Sequence, residues 1–128
     1  MASFLRPTTA DAIRAMTPVR TGERKLGETV HVLPAGAGLT EGLRGLPEAG
    51  FALLMVSEDI GVRGNLGRPG AANLPQAALR RLLAMQDTPV LRGSSLVVLG
   101  EVAVQDLMQQ AVGLDPARSA DLSRLHGL

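Results

Sequence analysis

Two short runs constrain the fold of this chain more than anything else in it: F-A-L-L-M-V at residues 51–56 and L-V-V-L at residues 96–99. Neither holds a charge, neither alternates apolar with polar, and Gly50 and Gly100 stand at their borders. A continuous apolar run of this length, fenced by turn residues, reads as a strand covered on both faces, the usual condition in a parallel sheet. Between and after the runs the period changes. Leu74, Ala78, Leu79, Leu82 and Leu83 share one helical face, with Gln76, Arg80 and Arg81 turned away from it. Asn73 stands where it can cap that helix, Pro75 falls in its first turn, and Thr88-Pro89 ends the run. Val104, Leu107, Met108 and Ala111 again recur at helical spacing, and Gly113 falls at the position just past the helix end. Residues 51–112 thus read as a βαβα core, and a right-handed crossover makes its strands parallel. The fold class is α/β.

The remaining segments are shorter. Residues 9–16 predict a helix capped by Thr8 or Thr9 and stopped by Pro18. Residues 21–28 are a polar connection within the N-terminal segment 1–28. T-V-H-V-L at 29–33 predicts a short strand. Residues 34–50 are rich in Gly and Pro, with one brief helix expected at 41–46. In 113–128, Asp115-Pro116 opens a turn and Ser119 caps an apolar pattern through Leu122 and Leu125, which reads as an incomplete helix. A chain of 128 residues is enough for one domain with a real core. Phenylalanine, present twice, is its only aromatic residue, so that core must come from Leu, Val, Ala and Met.

Composition narrows the partners. The formal net charge is +1, the basic residues are scattered, and Trp and Tyr are absent, which argues against nucleic acid and acidic membranes. No cysteine is present, so disulfides, thiolate metal sites and cysteine nucleophiles are excluded, in keeping with a cytoplasmic location. No apolar run approaches the roughly 18 residues that span a bilayer, and the N-terminus lacks the basic-then-apolar layout of a signal peptide.

The polar interest lies in residues 57–71, S-E-D-I-G-V-R-G-N-L-G-R-P-G-A, with glycine at every third position from Gly61 through Gly64 and Gly67 to Gly70. The segment follows the first apolar strand, at the end of a parallel sheet where ligands usually bind. Its glycines either cradle an anion on backbone N–H groups or simply turn tightly with positive φ. The spacing is neither that of a Walker A loop nor G-x-G-x-x-G. Arg63, Asn65 and Arg68 either grip a carboxylate or tie the loop down through backbone carbonyls. Glu58 and Asp59 are neighbours whose side chains diverge, so they read as surface acids or helix-dipole partners rather than an acid–base pair or a metal ligand. His31 and His126 have no acidic or histidine partner at metal-ligand spacing and read as structural or exposed. No serine lies in a G-x-S-x-G turn. Residue types and spacing therefore give a small α/β unit with a polar, ligand-type loop and no catalytic set.

This loop resembles the first active-site loop of the arginase, or ureohydrolase, family. It is most similar to the formimidoylglutamase-like branch, whose loop reads approximately D/E-x-G-V-R-x-N-x-G-R-x-G-A. R-T-G-E-R-K-L-G-E at residues 20–28 resembles that branch's N-terminal segment. L-V-V-L-G-E-V at 96–102 resembles its second core strand, where the family often has His in place of Glu101. The resemblance implies a three-layer α/β/α domain with a parallel sheet, of which residues 1–128 form a single, truncated N-terminal part. It implies hydrolysis of guanidino or formimidoyl C–N bonds with two Mn²⁺ ions and a bridging hydroxide, as in the conversion of N-formimidoyl-glutamate to glutamate and formamide. Arg63, Asn65, Gly67, Arg68 and Gly70 match the loop that borders the substrate cleft, with Arg68 and Asn65 holding the loop or the substrate's carboxylate end. The family's metal ligands come from G-G-x-H, D-A-H-x-D and D-x-D-x-x-D stretches, and this sequence contains none of them. The expectation is a chain with no catalytic residue, metal or cofactor of its own, inactive alone. The alternatives are an enzyme half completed by another chain, or a stand-alone, non-enzymatic binding module for a small carboxylate or a partner protein. The open sheet edges of such a unit lead to the expectation of a complementing chain or a homo-oligomer.

Overall fold

A computed structural model describes residues 4–47 and 50–128; residues 1–3 of the N-terminal segment and 48–49 of the Gly/Pro-rich stretch lie outside the described residues. Four strands form one sheet: β1 (Leu5–Pro7), β2 (His31–Val32), β3 (Phe51–Met55) and β4 (Leu96–Val102). Each of the first three pairs with β4. β3 runs parallel along one edge of β4, from Phe51 opposite Leu96 to Met55 opposite Glu101, with a register slip between Leu53 and Leu54. β2 also runs parallel, with His31 opposite Val97. β1 is antiparallel, with Leu5 opposite Val102 and Pro7 opposite Gly100. A strand has only two edges, so β1 and β2 lie end to end along the edge that β3 leaves open.

The sheet is therefore mixed, and the α/β class holds while the all-parallel expectation does not. Three residues, L-R-P, carry no periodicity from which β1 could be read. What admits β1 is Gly100: a Cβ there would sit 2.1 Å from the Arg6 carbonyl oxygen, and its φ of +143° suits glycine. Pro7 is tolerated because β1 is an edge strand.

β4 is covered on both faces, as its sequence predicts: Leu96, Val97 and Val98 are all buried, Val98 completely. β3 is not. Phe51 is 68% and Leu54 51% exposed, as is Val56 just past the strand at 45%. Its free edge carries no strand among the described residues, and an uninterrupted apolar run cannot distinguish a central strand from an edge strand.

The described residues also contain six α-helices, α1 (Ala10–Met16), α2 (Leu39–Arg44), α3 (Ile60–Gly64), α4 (Leu74–Leu83), α5 (Gln105–Ala111) and α6 (Ser119–His126), and three short 3-10 turns. Thr9 caps α1, its Oγ1 accepting from Ala12 N at 3.1 Å. Thr17 closes that helix by donating to the Ile13 carbonyl at 2.7 Å, and Pro18 follows. α2 forms two residues earlier than its expected position. Asn73 occupies the cap position of α4 but makes no side-chain cap bond, and Leu74 is largely exposed rather than packed. Gly113 follows α5 with φ +80°, as a C′ glycine should. Arg118 rather than Ser119 is the cap residue of α6, and this helix, read as incomplete, is seated firmly, with Leu125 buried.

Two apolar clusters result. Ile13, Met55, Leu79, Leu83 and Val98 pack together, so α1 and α4 lie on one face of the sheet. Ile60, Ala111, Leu114 and Leu125 form a second cluster from α3, α5 and α6, beyond the carboxyl ends of β3 and β4.

Candidate functional site

Parallel strands β3 and β4 deliver their following segments to the same end of the sheet, and residues 57–71 are the segment after β3. They do not form one loop. I-G-V-R-G is the helix α3, so Gly61 and Gly64 are helical rather than turn glycines. Glu58 explains why it starts: its Oε2 accepts from Gly61 N at 3.0 Å. Asp59 is buried, contrary to its reading as a surface acid, and its Oδ2 accepts from Gly70 N at 3.0 Å. That bond closes residues 59–70 into a ring.

Within the ring, Gly67 N donates to the Val62 carbonyl at 2.7 Å, and a Cβ on Gly67 would lie 2.6 Å from Val62 Cγ2. Leu66 (φ 60°) and Gly70 (φ 124°) supply the reversal. The tight-turn reading therefore holds for residues 66–70. The anion-cradle reading loses two of its donors, because the N–H groups of Gly61 and Gly70 are already bound to the chain's own carboxylates.

Arg63 ties the segment down. Its guanidinium donates to the Ala111 carbonyl at 3.0 Å and the Leu114 carbonyl at 2.7 Å. These oxygens lie at and just beyond the end of α5, where helix carbonyls lack intrahelical partners and a cation is favoured. His126 Nε2 lies 2.7 Å from the Gly64 carbonyl. Since a carbonyl only accepts, this places a proton on Nε2. α3 is thus bonded to the end of α5 on one side and to α6 on the other. His31 Nε2 meets the Ser94 carbonyl at 3.1 Å, at the opposite, amino end of β4. Both histidines are engaged with backbone.

Asn65 and Arg68 differ from the rest. Both are exposed, and neither side chain makes a hydrogen bond or ion pair among the described residues. Of the five residues read from the sequence, Arg63, Gly67 and Gly70 build the turn, while Asn65 and Arg68 project from it. His126 has the structural role read for it and Glu58 sits at the helix start as a dipole partner would, while the burial of Asp59 and the specific backbone partners of all three were not read from the sequence. An acidic pair just ahead of I-G was the available signal for the helix start. Ser57 Oγ, between β3 and Glu58, is buried without a hydrogen-bond partner.

The carboxylates here do not form a metal site. Glu58 and Asp59 are bound to backbone, and Glu101, at the carboxyl end of β4, pairs with Arg6 at 3.1 Å. Among the described residues no group of three or more His, Asp or Glu side chains is arranged to hold a metal ion.

No family model, curated protein or solved structure matches this chain. A functional reading must rest on the loop itself. What that loop can do chemically is limited and specific: a tied-down turn presents one guanidinium fork and one amide, a pair of groups suited to a carboxylate.

Proposed function

We propose that these 128 residues are the N-terminal portion of a formimidoylglutamase- or arginase-like C–N hydrolase and supply its first substrate-cleft loop. The observation that carries the reading is the division of labour in a loop whose sequence resembles that family's. Glu58, Asp59 and Arg63 are consumed in holding the turn, and Asn65 and Arg68 are left exposed and unpartnered. In this reading Arg68 holds the carboxylate end of an amidine substrate, with Asn65 as a neutral second donor. Water activation belongs to residues outside this set, because the acids and histidines near the loop are already bonded.

The test is complementation. The chain alone, supplied with Mn²⁺, should release neither formamide from N-formimidoyl-glutamate nor urea from arginine. Mixed or co-expressed with a polypeptide bearing the G-G-x-H, D-A-H-x-D and D-x-D-x-x-D stretches, it should release one of them. Arg68→Ala should then raise KM at least about tenfold with a smaller change in kcat. No turnover in any combination, or turnover indifferent to Arg68, overturns the reading.

The same free pair supports a second reading, a stand-alone module that binds small carboxylates without chemistry. Calorimetry with glutamate separates the two. Micromolar binding by the uncombined chain, lost in Arg68→Ala, favours the module, and no detectable binding removes it.

A further inference from the structure

A groove of about 580 Å³ runs between β3 and α4. Leu54, Val56, Leu74, Leu82 and Met85 line it, and Arg81 is the only charged residue in its wall. We infer that this groove and the free edge of β3 form an interface with a second copy of the chain, the two β3 strands pairing antiparallel across a two-fold axis. This inference does not depend on the reading of the loop.

Three observations carry it. First, β4 occupies one edge of β3, and no strand covers the other among the described residues. F-A-L-L-M contains no charge and no proline, the devices by which edge strands normally avoid pairing. Self-pairing therefore brings no like charges together within the strand. Second, apolar surface continues from the strand edge onto α4. Leu54, Val56, Leu74 and Met85 are between 45% and 66% exposed. With their neighbours in the groove they form one continuous patch, whose size belongs to the small, weakly associating class of interfaces. Third, the geometry favours closure. A head-to-tail arrangement of β3 against the opposite sheet edge would meet β2 with two residues or β1 with three, whereas β3 against β3 offers five from each copy. The isologous pair offers the longer ladder and uses both free β3 edges at once, so this contact closes on itself.

Sedimentation equilibrium on the 128-residue chain tests the inference. The expected mass is twice 13.3 kDa at micromolar concentration. Leu54→Glu should raise the dimer dissociation constant about a hundredfold with an unchanged far-UV circular dichroism spectrum. Val90→Glu, at a site 97% exposed but outside the groove, should leave the dimer intact. Amide exchange in the unmodified chain is the second readout, and the β3 amides should gain protection as concentration rises. A monomer at every concentration, a dimer indifferent to Leu54→Glu, open-ended polymers, or β3 amides that stay unprotected would each overturn it.

Discussion

The Arg63 guanidinium is a second donor to the Ala111 carbonyl, which also accepts from Leu114 N, and it donates to the Leu114 carbonyl just beyond α5. Removing the side chain therefore strands the Leu114 carbonyl as well as deleting two charge-assisted bonds. Arg63→Ala should cost about 2–3 kcal/mol of unfolding free energy. Arg63→Lys should recover only part of it, because an ammonium on a flexible stem cannot reproduce the planar fork. Urea denaturation followed by circular dichroism reads the difference, since the chain has no Trp or Tyr to report by fluorescence. Glu23 gives a pH-dependent counterpart. Its carboxyl is held below the ordinary range chiefly by its hydrogen bond to the Lys25 ammonium, then by the charge of that group, with Arg20 adding a little. Lys25 Nζ lies 2.5 Å and Arg20 3.6 Å from it. A carboxyl lowered on folding stabilises the fold fully above its unfolded pKa and loses that contribution as pH falls through the folded value. The stability difference between the natural chain and Glu23→Gln should therefore be present near neutral pH and shrink steadily on acidification. Thermal melts across that range measure it, and a difference that grows in acid would contradict the assignment.

Among the elements, α6 is the one that follows its apolar pattern but packs away from the sheet. Its anchor, Leu125, is 3% exposed and meets Ile60, Ala111 and Leu114 in a cluster that includes no strand residue. Leu125→Ala should cost about 2–5 kcal/mol. Native-state hydrogen exchange should show the loss first in α3 and α6 while β4 keeps its protection. Simultaneous loss everywhere would mean that the two clusters act as one. The elements legible in the sequence were those specified locally. α1, α4 and α5 follow from apolar period with a capping threonine, an early proline or a terminal glycine. β4 follows from a charge-free run. β1 was illegible because its partner lies 95 residues away in sequence, as the Arg6–Glu101 bond shows, and three residues hold no period. α3 was illegible because Gly61 and Gly64 argue against helix. Glu58 at its start and the Arg63 and His126 bonds override that preference. The site was legible to the same degree. Gly67 and Gly70 announced a tight turn, and Arg63 was read as either hook or tie. Only tertiary partners distinguish it from Arg68, and likewise Asp59, whose partner Gly70 is 11 residues on, from a surface acid.

At the scale of the whole molecule, β4 is the member on which the sheet converges. β1, β2 and β3 never pair with one another, and each depends on β4 for its ladder bonds. This arrangement has a consequence for how the protein is made. A ribosome releases the residues of β1, β2 and β3 well before those of β4, so no ladder can close until residues 96–102 have left the exit tunnel. Through that interval the apolar F-A-L-L-M segment has no mate on either edge. The sheet is thus completed from its last strand, and until then an extended apolar segment of the kind that invites misassociation stands exposed.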